Sequence, residues 1–157
     1  MAGPSSQITK GFKLSKHFFG ATPVLSGKAN ATIAVGDVLE EASGLLTLAD
    51  SGDTATIVGV ATSAAVAGGT VNYIPAWNGV IWEATLDGDT NTGIVLAEAQ
   101  LFQQYDLGID AGNGKPYVDQ ESTGATILTV VGLVDAVGTA YGRVLVSFMQ
   151  NKTVWGA

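Results

Sequence analysis

The chain has 157 residues, 46% of them hydrophobic and only 13% charged, roughly half the usual charged share. That length suits one domain with a sizeable core. The absence of cysteine excludes disulfides and thiolate metal sites. The net charge of −7 is unevenly spread. Lys10, Lys13, Lys16 and Lys28 fall in the first 36 residues, which hold no acid, whereas all 14 acids lie in the remainder beside Lys115, Arg143 and Lys152. Such an acidic body argues against wide nucleic-acid contact, because phosphate binding needs a clustered basic footprint. No apolar run is long enough for a signal peptide or a membrane span, which predicts a soluble protein made in the cytoplasm.

Residues 1–7 are small and polar and read as a disordered start. Residues 8–22, ITKGFKLSKHFFGAT, interleave Lys10, Lys13, Lys16 and His17 with Phe12, Leu14, Phe18 and Phe19. One reading is an extended arm, spanning residues 1–30, that docks its aromatics on another surface. The other is a first strand packed on its own domain with Phe12 and Leu14 facing inward. From Thr32 onward, the strands are short and evenly punctuated. Ile33–Glu40 ends at Ser43-Gly44, Leu45–Ala49 follows, and Asp50-Ser51-Gly52-Asp53 is a turn.

The stretch Thr56–Leu86 predicts three strands. Thr56–Thr62 is rich in β-branched residues, and Val71–Trp77 and Val80–Leu86 flank Asn78-Gly79, the pattern of a type I′ hairpin. Pro75 cannot donate to a ladder, so Val71–Trp77 is expected at a sheet edge or at a bulge. Asp87–Gly93 reads as a polar loop and Ile94–Tyr105 as a turn or short helix. Tyr105–Ile109 and Pro116–Asp119 predict a hairpin, and Thr126–Val134 and Arg143–Gln150 the last two strands.

The second half echoes the first. Val58-Gly59-Val60 returns as Val131-Gly132-Leu133, and Gly69 with Val71 as Gly142 with Val144, at a constant shift of 73 positions. Asp37-Val38, Gly44 and Ser51-Gly52 likewise match Asp106-Leu107, Gly114 and Thr123-Gly124. Five elements recurring in one order predict an internal repeat. The expected architecture is therefore all-β, a small barrel or sandwich of two similar strand–hairpin units over residues 31–157, preceded by the arm.

Catalytic chemistry is thinly provided. The single histidine, His17, lies in the arm, and neither a nucleophilic cysteine nor a Gly-x-Ser-x-Gly elbow occurs. The acids sit in turns beside Gly, Ser, Thr or Asn, where solvated structural roles prevail, and no catalytic residue, cofactor or enzyme activity is expected. Asp87, Asp89, Asn91 and Glu98 have the spacing of a twelve-residue calcium loop. However, Thr92 stands where that loop needs glycine and a strand precedes it. A polar turn entering a short helix, capped by Asn91 or Thr92, accounts for the same residues, and no metal is assigned. Tyr73, Trp77 and Trp82 would suit a stacking platform for sugar, or a cross-strand aromatic cluster closing the core.

Over residues 31–150 the chain resembles the capsid decoration (cement, or head-stabilising) proteins of tailed bacteriophages. The likeness rests on Gly36-Asp37-Val38-Leu39, on Ile57-Val58-Gly59-Val60-Ala61 with Ala65–Val71, and on Tyr105-Asp106-Leu107 with Tyr117-Val118-Asp119. It also includes Val131-Gly132-Leu133-Val134 and Gly142-Arg143-Val144-Leu145-Val146. The longer N-terminal segment and the aromatic Trp77–Trp82 stretch depart from compact members. The resemblance implies a structural, non-enzymatic protein on the outer surface of an icosahedral virion. Such proteins often assemble as homotrimers that bridge major capsid subunits. The arm residues Lys10, Phe12, Lys13, Lys16, His17, Phe18 and Phe19 would then be the capsid contacts, with no nucleic-acid or membrane partner. A tail or fibre module and a carbohydrate-binding β-sandwich are the alternatives.

Overall fold

The computed structural model describes Ile8 and residues 10–50, 56–124 and 126–156. Its strands are β1 (Lys13–Lys16), β2 (Leu25–Lys28), β3 (Val38–Ala42), β4 (Leu45–Leu48), β5 (Ile57–Ala61), β6 (Thr70–Pro75), β7 (Ile81–Asp87), β8 (Gln104–Ile109), β9 (Pro116–Asp119), β10 (Leu128–Leu133) and β11 (Arg143–Phe148). The only helical pieces among the described residues are 3-10 turns at Glu98–Gln100 and Gln150–Lys152. The protein is all-β.

The strands form two units of the same design. The first sheet runs β2-β6-β5-β3-β4 and the second β1-β7-β11-β10-β8-β9, in which β1 is an addition to the common design. Matching β2 to β7, β3 to β8, β4 to β9, β5 to β10 and β6 to β11 turns one order into the other. The second sheet closes into a five-stranded barrel because β9 returns parallel to β7, with Leu86 opposite Val118 and Asp87 opposite Asp119. The first brings its edges together in the same sense: Ala29, just past β2, bridges in parallel to Leu46 of β4, and the Asn30 N–H donates to the Leu46 carbonyl at 2.7 Å. Closure of this kind removes unpaired strand edges.

The repeat holds in topology and not in register. Ala61 pairs with Tyr73, so a shift of 73 would pair Val134 with Val146. Instead Val146 pairs with Val130, and a bulge follows between Val130 and Gly132. Ser51-Gly52, part of the expected correspondence, lies outside the described residues.

Alternation of side chains divides the first sheet between two cores. Leu39, Val58, Val71 and Tyr73 fill the interior of the first unit. Val38, Ile57, Val60 and Ile74 face the other way and join the main core, where Trp82, Leu86, Leu107, Val144 and Val146 come from the second barrel. That is why β5 is apolar at every position and buried throughout: both of its faces are covered. Gly59 at its centre is required by a close backbone approach, since a Cβ there would stand 2.1 Å from the Ile74 carbonyl oxygen.

Two local expectations are corrected here. Asn78-Gly79 makes a turn, with the Val80 N–H donating to the Trp77 carbonyl at 3.2 Å, but no hairpin. Only Gly79 takes a positive φ, +86°, as in a type II turn rather than the type I′ turn that matches strand twist. The chain accordingly passes from β6 in one unit to β7 in the other. Pro75 lies on an interior strand, not an edge. The Ala76 N–H faces β5, so alternation turns the Pro75 nitrogen toward β2, whose pairing has already ended at Leu25 opposite Tyr73.

The termini cross over. β1 pairs antiparallel with the first half of β7, so the N-terminal segment belongs to the second barrel. The C-terminal segment returns to the first unit: Thr153 bridges Ile57, and the Val154 N–H donates to the Ile57 carbonyl at 2.9 Å.

Candidate interaction surface

The N-terminal residues divide into an inward and an outward set. Phe12 is only 4% exposed and stacks on Phe148 with ring centroids 5.8 Å apart. Its N–H donates to the Gly36 carbonyl at 2.9 Å. Leu14 packs against the same core, while Lys10, Lys13 and Lys16 remain exposed. Of the two readings of this segment, the strand packed on its own domain describes residues 12–16. Phe12 must therefore be withdrawn as an external contact, because burial against Phe148 leaves it no surface to offer. Likewise β2 lies within residues 1–30 and pairs with β6, so this part of the expected arm is body.

Arg143 of β11 helps fix that segment. Its Nε donates to Glu83 Oε1 at 2.5 Å, its Nη1 to Thr85 Oγ1 at 3.2 Å, and its Nη2 to the carbonyls of Glu83 and Gly11 at 3.2 and 3.4 Å. The planar guanidinium thus joins two strands of the barrel to the residue before Phe12.

Beyond Lys16 the chain leaves the sheet. The Phe19 N–H donates to His17 Nδ1 at 3.1 Å, which curls the segment back on itself. A ladder of rings follows. His17 stacks on Phe19 at 5.9 Å, Phe19 meets Trp77 edge-on at 5.4 Å, and Trp77 meets Trp155 edge-on at 5.9 Å. Such geometries are the favoured ones for aromatic pairs. Phe18 stands outside the ladder, 87% exposed, with one flank against Gly79. Trp155, also exposed, donates its indole N–H to the Val58 carbonyl at 2.7 Å. The same carbonyl also accepts the Ala76 N–H at 2.9 Å. The sequence reading found the histidine and phenylalanines but missed Trp155.

The expected platform of Tyr73, Trp77 and Trp82 is not assembled. Tyr73 is buried in the interior of the first unit, and Trp82, 1% exposed, meets Phe148 edge-on in the main core. Trp77 alone joins a surface cluster.

Of the acids spaced like a calcium loop, Asp87 serves as a backbone acceptor, while Asp119 and Glu121, outside that spacing, accept N–H groups of the loop. Asp87 Oδ1 accepts the Gly93 and Ile94 N–H groups at 2.8 and 3.3 Å. Asp119 Oδ1 accepts those of Glu121 and Asp89, and Glu121 accepts the Thr90 and Asn91 N–H groups at 2.5 and 2.9 Å. Glu98 is exposed on its own 3-10 turn, which Ala97 precedes, so neither Asn91 nor Thr92 caps a helix. Among the described residues, no group of three His, Cys, Asp or Glu is arranged to hold a metal ion. Burial pushes the Asp119 carboxyl above its usual range against the pull of its two N–H donors. Burial, then Asp119, Asp89, Asp87 and Asp110, raises the Tyr117 hydroxyl. The exposed Glu121 carboxyl is lowered by the backbone N–H groups of Asn91 and Thr90.

The molecule thus presents a closed five-stranded barrel and a second sheet, with a cluster of aromatic rings where residues 17–19 meet Trp155 through Trp77. No protein-family model matches the chain, and no curated protein matches it in sequence.

Proposed function

We propose that this is a structural virion protein that binds the outer surface of an icosahedral phage head, bridging major capsid subunits and stabilising the shell. The observation that carries this reading is the surface cluster of exposed Phe18, Phe19 and Trp155 with the half-buried His17 and Trp77, next to the lysine-bearing strand β1. Clustered aromatics are the residues that dominate protein interfaces, and flanking lysines would steer the surface toward acids on the capsid. The all-β body supports the same reading, as does the family resemblance of residues 31–150. A homotrimer would present three such surfaces, and simultaneous engagement raises avidity without any new contact.

The test is co-sedimentation of the full chain with emptied, expanded phage heads. Removal of the N-terminal residues would delete β1 and the Phe12 contact and unfold the body. The comparison is therefore a Phe18→Ala/Phe19→Ala double variant whose circular dichroism matches the wild type. Saturable binding that the double variant loses supports decoration through this surface. Failure of the wild type to bind any expanded head overturns the reading.

A further inference from the structure

A second feature lies apart from the aromatic ladder. Between the N-terminal segment and the first unit is a cleft of about 440 Å³, within the size range of ligand sites. Its apolar lining is the exposed Val35 and the half-buried Leu14, with the buried Val60, Ile74 and Trp82 behind them. Three of the chain's seven basic residues, Lys10, Lys13 and Lys115, line it, and no acid does. That is a marked local reversal of charge in a protein of net charge −7.

The lysines are gathered by construction. The Asn113 side-chain amide donates to the Ile8 carbonyl at 2.9 Å and ties the β8–β9 loop, which carries Lys115, to the segment carrying Lys10 and Lys13. Asp37 is the nearby acid. Its Oδ2 accepts the Ala34 N–H at 2.7 Å, and it feels the charge of Lys115 but does not itself line the cleft. Finally, β1 borders the cleft as the end strand of its sheet, with β7 as its one neighbour among the described residues. A strand with an open edge accepts another extended chain through its main-chain groups.

The geometry points to this cleft as the docking site for an extended acidic segment of a partner protein, one that alternates carboxylates with aliphatic side chains. The carboxylates meet Lys10, Lys13 and Lys115, the aliphatic groups rest on the exposed Val35 and the half-buried Leu14, and the backbone runs beside β1. A segment with period-two alternation supplies both chemistries from opposite faces. This inference shares Lys13 of β1 with the head-decoration reading but involves neither Phe18, Phe19 nor Trp155, so the Phe18→Ala/Phe19→Ala variant, which should bind the peptide unchanged, separates the two.

The experiment follows indole N–H resonances of the isotope-labelled full chain on titration with a blocked pentapeptide alternating glutamate and valine. Trp82 is assigned as the resonance retained in Trp77→Phe and Trp155→Phe. The expected result is a saturable shift of the Trp82 signal. Binding should weaken about tenfold or more when glutamine replaces glutamate in the peptide, or in the Lys10→Gln/Lys13→Gln/Lys115→Gln variant. It should also weaken as salt rises from about 0.05 M to about 0.5 M. No saturable shift overturns the proposal, as does equal binding of the glutamine peptide. An equal response to free valerate, a carboxylate with no peptide backbone, would mark a small-anion site and overturn it too.

Discussion

The indole N–H of Trp155 donates to the carbonyl of Val58 at 2.7 Å, across 97 positions of sequence. This bond holds the last aromatic of the chain against the first unit and so orients the end of the ring ladder. Trp155→Phe keeps a ring but removes the donor. The expected loss is about 1 kcal/mol, typical of one hydrogen bond, because the Ala76 N–H still satisfies the Val58 carbonyl. Urea unfolding monitored by circular dichroism measures it. A loss below a few tenths of a kcal/mol would mean that the bond adds nothing net over hydration.

Phe12 and Phe18 lie six residues apart and should fail differently. Phe12→Ala opens a cavity beside Phe148 and should cost about 3–5 kcal/mol. Phe18→Ala changes an exposed ring and should stay within about 0.5 kcal/mol, while weakening adsorption to phage heads if the proposed function holds. Urea midpoints for both variants, beside co-sedimentation for Phe18→Ala, separate the two roles. Equal midpoints would contradict the burial of Phe12.

Gly59→Ala places a Cβ against the Ile74 carbonyl oxygen, where backbone and not a flexible side chain must give way. A loss of about 2 kcal/mol or more is expected from this overpacking. Gly20→Ala, with nothing near its added methyl, serves as the control and should be close to neutral. Thermal melts of the pair decide the matter.

Asp37 gives a pH prediction. Burial raises its carboxyl pKa above the ordinary 3.8, more than the Ala34 N–H and Lys115 lower it. The folded state therefore binds this proton more tightly than the unfolded chain. The contribution is fully present below the unfolded pKa and is lost as pH rises through the folded one. Between neutral pH and the carboxylate range, acidification should improve the stability of the wild type relative to Asp37→Asn. Asp119 acts in the same sense and Glu121 in the opposite one, so the difference between the two chains, not the wild-type curve alone, carries the test. A difference that is constant from pH 7 down to pH 4.5 would refute the assignment.

The shared core makes a fifth expectation. Ile57, Val60 and Ile74 of the first unit pack with Trp82, Leu107 and Val146 of the second, so neither unit owns its whole apolar interior. Tryptophan fluorescence and far-ultraviolet circular dichroism should report one coincident unfolding transition. Two resolved transitions would show that the units melt separately.

Much of the β architecture could be read from residue patterns. The hairpin of β8 and β9 around residues 110–115, the strands β10 and β11, and the recurrence of the unit all follow from alternation and turn chemistry. What local pattern left open was partnership. Asn78-Gly79 is compatible with more than one turn, and whether β6 and β7 pair depends on which sheets their side chains complete. Pro75 excludes one hydrogen bond, yet the length of β2 decides whether that bond was needed. Leu25–Lys28 is short and broken by Gly27, so nothing in it announced a strand. In the candidate surface, Phe18 and Phe19 were conspicuous as apolar rings among lysines. Trp155 was not, because its place in the ladder arises from a return of the C-terminal segment to Val58 that no spacing encodes.

The crossing of the termini has a mechanical meaning. The N-terminal strand is fastened to the second barrel, and the C-terminal segment to the first. A pull applied between the two ends would load both units together, since neither can be drawn away until the strap belonging to the other lets go. Each strap then bears the full tension, β1 against β7 at one end and residues 153–155 against β5 at the other. Single-molecule stretching from the ends should therefore give one high-force rupture rather than two successive lower ones.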